Sequence, residues 1–389
     1  MDLRRKVALV AVLYFVEGFP MGIFSDVWPV YLRDAGASVE TIGWLSLLGF
    51  AWTLKALWAP AVDGIGEWRH WIAGALAAMA LAVALAPGAL GGSAAALLIA
   101  AFALASATQD IAIDASAVAL TESGEEAQLS SVRVAMYRVG KLAFGAGGLL
   151  LADRFGWLAL HDALAVAIAG FALAALSLPR LQTRAADDSR AWRSALASLR
   201  RPGVAGALAF LVFYRLGDLA MAPMVSVFWR DTGASLTLIG LVPSGVSAAM
   251  GILGATLGGV LVARAPLVWA LAGGGVLASA SNLAYAAAAA AGAPLWAVIT
   301  ASLSESVCGG IASVALVSLL VGACDRAHAG VQFALLTALS PFAGRLVGGV
   351  SGEFVAAFGY GAWFAATGAL TLPALAFIPT AVRWARPAR

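Results

Sequence analysis

Charge is what this chain has least of. Only 12% of its 389 residues are charged and 62% are hydrophobic, whereas a soluble domain carries about 25% charged residues. A surface that apolar excludes a water-soluble globule and makes lipid the natural solvent. Cysteine is nearly absent: Cys308 and Cys324 lie sixteen residues apart on one apolar stretch. A helix separates them by about 24 Å, which excludes a disulfide between them, and no metal or redox motif includes either. The three histidines, His70, His161 and His328, fall at the ends of apolar stretches or between them. Carboxylates are therefore the groups available to carry a proton at bilayer depth. Catalytic signatures are missing too: there is no G-x-S-x-G, no H-E-x-x-H and no G-x-x-x-x-G-K-[ST]. The one adjacent pair with acid–base potential is His161-Asp162. A membrane-embedded acyltransferase is the weaker alternative class, and neither enzymatic activity nor a cofactor or metal is expected.

What the chain does have is long apolar runs. Twelve can be drawn, at 7–32, 40–62, 70–88, 93–119, 130–152, 158–178, 204–230, 237–262, 267–289, 294–322, 329–357 and 361–381. Most reach the ~20 residues that a helix needs to cross the hydrocarbon. They are continuous rather than alternating, which points to helices and not to a barrel. Glu17 interrupts the first run and no small-residue cleavage site follows it, so it reads as a retained span rather than a signal peptide. Glycine pairs at Gly18/Gly22, Gly254/Gly258 and Gly348/Gly352 suit close helix packing. Prolines 20, 29, 60, 223, 243 and 341 fall inside proposed helices, where each permits a bend.

The cations are unevenly placed. With the N-terminus in the cytoplasm, inner loops and tails hold fifteen of the 24 Lys and Arg residues, and outer loops hold only Arg33, Arg154 and Arg230. That asymmetry places both termini inside and accounts for the net charge of +3 without any nucleic-acid partner. The basic segment 180–203 is the one real linker. It divides the chain into a six-helix bundle over 1–179 and a second over 204–389.

The two halves resemble each other. Arg33-Asp34-Ala35-Gly36-Ala37-Ser38-Val39-Glu40-Thr41-Ile42-Gly43 returns 197 residues later as Arg230-Asp231-Thr232-Gly233-Ala234-Ser235-Leu236-Thr237-Leu238-Ile239-Gly240. Ala115–Leu120 returns as Ile311–Leu316 at an offset of 196. An offset spanning six helices keeps the halves in one orientation. That parallel repeat is the layout of a secondary transporter, with its substrate near the bilayer midplane.

Ionisable residues at bilayer depth cost several kcal/mol unless paired or hydrated, so each is a candidate site. By rise per residue, Glu17, Arg215 and Glu305 fall near the midplane, with Asp218 one turn beyond Arg215. In the fourth stretch Gln109 precedes Asp110, and Asp110 and Asp114 share one helical face. The fifth stretch returns antiparallel with Arg133, Arg138 and Lys141. By depth Asp114 faces Arg133 or Arg138, and Asp110 faces Arg138 or Lys141. Such a network serves either as a substrate site or as an ion-pair latch. Lys55 lies about two turns from Asp63, with Trp52 one turn before it, placed to stack on a substrate or on Lys55. Glu17 has no cation among its helical neighbours, which makes it the first proton-site candidate, ahead of Glu305, Asp110 and Asp114.

Several motifs carry a family resemblance. Leu13-Tyr14-Phe15-Val16-Glu17-Gly18-Phe19-Pro20-Met21-Gly22, Pro29-Val30-Tyr31-Leu32-Arg33-Asp34-Ala35-Gly36 and Leu54-Lys55-Ala56-Leu57-Trp58-Ala59-Pro60-Ala61-Val62-Asp63 are of this kind. Ala107-Thr108-Gln109-Asp110-Ile111-Ala112-Ile113-Asp114-Ala115, the most specific, joins them with Tyr137-Arg138-Val139-Gly140 and Gln332-Phe333-Ala334-Leu335-Leu336. Together they resemble the AmpG-like peptide/acetyl-CoA transporter family of the major facilitator superfamily, over the first five helices and part of the eleventh.

The resemblance implies an all-α, twelve-helix permease of the bacterial inner membrane, driven by the proton gradient. Members import anhydro-muropeptides; related branches move acetyl-CoA or siderophores, and these remain alternatives here. It also implies that helices 1, 4, 7 and 10 line the cavity. The expectation is a monomeric, proton-coupled importer of an amphipathic anion, working by alternating access. Arg215, helped by Arg138 or Lys141, would hold the anion, with Lys55, Trp52, Tyr14, Gln109 and Asp218 nearby. Glu17 or Glu305 would take the proton.

Overall fold

The structure is a computed structural model that describes residues 1–89, 93–122, 124–180, 201–324 and 329–385. Its regular elements are all helices. In chain order they are α1 (Leu3–Gly22), α2 (Trp28–Asp34), α3 (Val39–Ser46), α4 (Phe50–Leu54), α5 (Ala59–Gly64), α6 (Trp68–Leu85), α7 (Ser93–Leu120), α8 (Glu126–Phe155) and α9 (Trp157–Ala175). Beyond the linker come α10 (Val204–Tyr214), α11 (Leu216–Asp231), α12 (Leu236–Ile239), α13 (Ser247–Arg264), α14 (Leu267–Ala290), α15 (Leu295–Ala323), α16 (Ala329–Gly349), α17 (Ser351–Thr371) and α18 (Pro373–Ala385). Residues 181–200, the body of the basic linker, lie outside the described set, as do His328 and the Asp63 side chain.

Ten helical segments among the described residues are long and apolar enough to cross a membrane, where the sequence suggests twelve. The stretch at 40–62 is not one of the ten because it is broken into α3, α4 and α5 by tight turns at Leu47–Gly49 and Lys55–Leu57. Pro60, in the first turn of α5, explains the second break. It has no N–H to donate to the carbonyl four residues back, and its ring crowds that carbonyl. Pro243 sits in a widened π-turn at Gly240–Val246, and a second π-turn at Ile23–Val27 follows Pro20. The other stretch missing from the ten is 329–357: it is divided between α16 and the first turns of α17, and Gly359 (φ 82°, ψ 165°) breaks α17 just before the stretch at 361–381 begins.

The contacts sort the chain into two compact units. Unit 1 holds Met1–Ser38, Leu48–Ala185 and Ser235–Ser244; unit 2 holds Val39–Leu47, Ala186–Ala234 and Gly245–Arg389. Each thus includes one short piece from the other half of the sequence. In unit 1 the backbones of α1 and α8 touch. A Cβ added at Gly18 would strike the Tyr137 carbonyl, and one at Gly140 would strike the Phe15 carbonyl. Phe15, Phe19, Phe144 and Phe171 pack around this crossing with ring centroids 4.7–6.4 Å apart. In unit 2 Gly254 plays the same part against the Val307 carbonyl of α15, and Phe228, Tyr285 and Phe364 form the aromatic cluster.

The eleven-residue repeat has the same conformation in both copies. Gly36 and Gly233 turn the chain at φ 87° and 84°. Arg33 Nη1 donates to the Ala37 carbonyl at 3.1 Å and Arg230 Nη1 to the Ala234 carbonyl at 2.9 Å. The aspartates repeat as well. Asp34 accepts from Trp157 Nε1 at 3.0 Å, and Asp231 accepts from the Tyr360 hydroxyl at 2.7 Å. Each of those aromatic donors follows a glycine, Gly156 or Gly359, with φ near 83° and ψ near 166°, a region open essentially to glycine alone. The repeat is a structural clasp from the end of a span to a helix–helix turn, made once in each unit.

Candidate functional site

In unit 1 charges gather where α1, α7 and α8 meet the broken second stretch; Glu17 and Asp110 are buried, and Asp114, Lys55 and Arg133 are partly exposed. Tyr14 and Glu17 share one face of α1, Asp110 and Asp114 one face of α7, and Arg133 comes from α8. The Tyr14 hydroxyl donates to Asp114 Oδ1 at 2.6 Å, and Arg133 Nη2 donates to the same oxygen at 3.0 Å. The Arg133 guanidinium also lies 4.6 Å from the centre of the Tyr14 ring. Lys55 Nζ, presented by the tight turn before Pro60, is 3.3 Å from Asp114 Oδ2 and 3.6 Å from Asp110 Oδ2. Glu17 is 9% exposed and its Oε2 has no hydrogen-bond partner, although it lies in the field of Asp110, Asp114, Lys55 and Arg133. Gln109, fully buried, donates from Nε2 to the Val16 carbonyl at 3.0 Å, tying α7 to α1.

A cavity of about 430 Å³ opens over this cluster, lined by Tyr14, Glu17, Asp114, Ser130, Arg133, Val134, Tyr137 and Arg138. Arg138 is exposed there and makes no ion pair or hydrogen bond among the described residues. Of the pairing read by depth, Arg133 with Asp114 is present, whereas Asp110 meets neither Arg138 nor Lys141. Asp114 takes Arg133 and Lys55, Asp110 takes Lys55, and Arg138 stays open to the cavity. Lys141 lies away from Asp110 and approaches Asp26 at 3.8 Å. Trp52 does not stack on Lys55; its ring packs on Phe24 at 5.0 Å and its Nε1 donates to Ser106 Oγ at 3.3 Å.

In unit 2 the charges gather at a break in the seventh span. Helix α10 ends at Tyr214 and α11 starts at Leu216, with Arg215 between them at φ −113°, ψ 7°. Arg215 Nε is 3.0 Å from Asp218 Oδ2. Its Nη1 donates to Ser313 Oγ and, at 3.4 Å, to the Gly309 carbonyl. Glu305 lies one turn from Gly309 on α15, and its Oε2 accepts from the Ser306 hydroxyl at 3.4 Å. Arg215, Asp218 and Glu305 thus come together, as their depths suggest.

Sequence reasoning missed Lys6. It is 2% exposed and bridges Glu122 at 2.7 Å and Glu125 at 2.8 Å, pinning the start of α1 to the α7–α8 connection. A lysine in an N-terminal basic triplet looks like a topology signal, and nothing in the triplet separates it from Arg4 and Arg5. Asn282 was missed too, because a lone amide in an apolar stretch carries no charge to count. His161, by contrast, is structural: its Nδ1 donates to the Trp157 carbonyl at 2.7 Å and its ring packs on Tyr31 at 4.5 Å.

No family model matches the chain. Relatives do. It is 30% identical over 387 residues to the anhydromuropeptide permease of Escherichia coli (strain K12), covering 96% of this chain and 79% of that one. It is 23% identical over 389 residues to the putative transporter AmpG 4 of Rickettsia conorii, covering 94% and 93%. Among solved structures, a bacterial homologue of the human lysosomal transporter Spinster superposes with a TM-score of 0.79 at 14% identity, over 99% of both chains. The D-xylose–proton symporter superposes at 0.74 and 13% identity, over 97% of both. The structural likenesses establish the major facilitator fold, and the relatives are transporters rather than enzymes. A multi-pass membrane chain of this fold, 30% identical to that permease over almost its whole length, belongs to the AmpG family of anhydromuropeptide permeases and related transporters.

Proposed function

We propose that the protein is a proton-coupled importer of anhydro-muropeptides in the bacterial inner membrane, working as a monomer by alternating access. Its six-helix halves over 1–179 and 204–389 are joined by a cytoplasmic linker. The 30% identity to the Escherichia coli anhydromuropeptide permease carries the substrate class.

The geometry supports the charge logic. Glu17, Asp110 and Asp114 face two cations, Lys55 and Arg133, so the cluster is one positive charge short of neutral when every carboxylate is ionised. A low-dielectric site holding an unbalanced charge is costly, and one proton restores the balance. Glu17, with an unpartnered buried oxygen, takes that proton in this reading, and Glu305 is its counterpart in unit 2. Arg138 and Arg215 hold the substrate's anionic groups, with Tyr14 and Tyr137 offering flat faces to the sugar.

The test is uptake of an anhydro-muropeptide into proteoliposomes of the purified protein, with and without an inward proton gradient. Gradient-dependent accumulation is expected, and Glu17→Gln should abolish it. Accumulation without a gradient, or full gradient-driven uptake by Glu17→Gln, overturns the proton assignment. Accumulation of acetyl-CoA or a siderophore in its place overturns the substrate.

A further inference from the structure

The Arg215–Asp218 pair has an unused neighbour. Asn282 of α14 stands within reach of the Asp218 carboxylate and is completely buried, yet neither its Oδ1 nor its Nδ2 is in full hydrogen-bond geometry. Asp218 is 7% exposed, and neither of its carboxylate oxygens is in hydrogen-bond geometry, although Arg215 Nε stands 3.0 Å away. The Thr371 hydroxyl of α17 is likewise buried and unpartnered. These groups converge on Gly217. A Cβ built there would come within 2.6 Å of Thr371 Oγ1 and 3.0 Å of Asn282 Nδ2. Orphaned polar groups in a membrane interior each cost several kcal/mol, so such a convergence calls for a state that satisfies it.

We infer that Asp218 is a proton-binding site with two alternative partners, Arg215 when ionised and Asn282 when protonated. The inference rests on the reading of the protein as a proton-coupled importer of an anionic solute. Ionised, the carboxylate is matched by the guanidinium. Protonated, it needs an acceptor for its O–H and a donor to its other oxygen, and a carboxamide supplies both through Oδ1 and Nδ2.

The exchange makes Arg215 conditional. A proton arriving at Asp218 releases the guanidinium, which stays anchored through Ser313 Oγ and the Gly309 carbonyl and can take a substrate carboxylate. When the proton leaves, Asp218 reclaims Arg215 and the carboxylate is released. One proton and one negative charge enter and leave together, so the net charge of the pocket stays constant, as a desolvated site requires.

The other groups facing Asp218 are Glu305 and Cys308 of α15 and Tyr214 of α10. Arg345 lies on the packed helix α16. Tyr285 lies on α14, Glu353 and Tyr360 on α17, and Glu40 on α3. Among these Glu353 is engaged by Trp44 and Tyr360 by Asp231.

Two measurements on the purified full-length protein test this. The first needs no substrate: an infrared pH titration that follows the protonated-carboxyl band in wild type, Asp218→Asn and Asn282→Ala. Loss of one titrating band in Asp218→Asn is expected, as is displacement of its midpoint by roughly a pH unit in Asn282→Ala. Asn282→Ala removes an orphaned buried amide and is expected to fold, so it stands if Asp218→Asn does not assemble. An unchanged set of bands in Asp218→Asn, or an unmoved midpoint in Asn282→Ala, overturns the inference.

The second is anhydro-muropeptide transport in proteoliposomes. Asp218→Asn should lose gradient-driven accumulation about tenfold or more. Wild-type-like accumulation by Asp218→Asn overturns the inference. A wild-type protein that moves no anhydro-muropeptide overturns the substrate reading, and the infrared titration still decides Asp218.

Discussion

Arg133 and Arg138 stand five residues apart on α8 and meet opposite fates. Arg133 is spent on Asp114 and the face of Tyr14, whereas Arg138 lines the cavity with no protein partner among the described residues. Substituting Arg138 by Gln should leave the thermal unfolding temperature unchanged, because no protein contact is lost. It should lower kcat/KM for uptake by about tenfold, or ~1.4 kcal/mol of transition-state binding. Unfolding in detergent and initial uptake rates together check this, and normal uptake would assign the anion to Arg215 alone. Arg133→Gln should instead destabilise the protein, because it strips Asp114 of its bidirectional support. The charged residues themselves were legible in the sequence, since each stands out in an apolar run. Their partners were only partly so: Arg133 with Asp114 was one of two readings, and Lys55 with either aspartate was not foreseen. Depth along a helix fixes one coordinate, and the pairing depends on rotation about the axis. It also depends on Lys55, which reaches Asp114 only because the second stretch breaks into tight turns there.

At the scale of elements, the sequence showed the repeat and the structure showed what it does. The Arg-Asp-x-Gly motif marks the end of a span in each half, and both copies close the same pair of contacts. The residues that receive the aspartates, Trp157 and Tyr360, lie more than a hundred positions away, and the Phe-Gly-aromatic triplet they share is 203 residues apart rather than 197, too short and too far off the repeat offset to announce the clasp. The broken second stretch was half legible: Pro60 announced a bend, but the tight turn at Leu47–Gly49 contains no proline.

The ion-pair tie at the start of α1 gives a prediction at this scale. Glu125 lies in the connection before α8. The Lys6 ammonium, bonded to it, holds its carboxyl below the usual carboxylate range, with help from the Glu122 backbone N–H. A carboxylate whose folded pKa is lowered contributes its stability fully above the unfolded value and loses it as pH falls through the folded value. Glu125→Gln should therefore lower the unfolding temperature at neutral pH. Its difference from wild type should shrink in acid and vanish once the wild-type carboxyl is protonated. Parallel unfolding curves across pH 3–8 (~5 units) check this, and a difference independent of pH would mean that the tie is not ionic.

For the whole molecule, the contrast is between what repeats and what does not. The clasps recur in both units, as do the glycine-mediated helix crossings. The charges do not: Glu17, Asp110 and Asp114 have no acidic counterparts at the repeat offset, and Asp218 has none in the first half. Symmetric parts build the scaffold, and the groups proposed to serve substrate and proton lie among the asymmetric ones. The same distinction sharpens the topology. Of the three cations assigned to the outer side, Arg33 and Arg230 are held by carbonyls of their own turns, so they are placed there by the clasp rather than by the field that sorts loop charges. Setting them aside leaves Arg154 alone against the fifteen cations assigned to the inner side, which strengthens the proposed orientation with both termini in the cytoplasm. A green fluorescent protein fused after Arg389 should therefore fluoresce, because it folds in the cytoplasm, and an alkaline phosphatase fused at the same point should be inactive. A fusion placed in the turn at Ala35–Ala37 should show the reverse pair. Active phosphatase at the C-terminus would invert the molecule, place the basic linker outside and require the gradient to drive export.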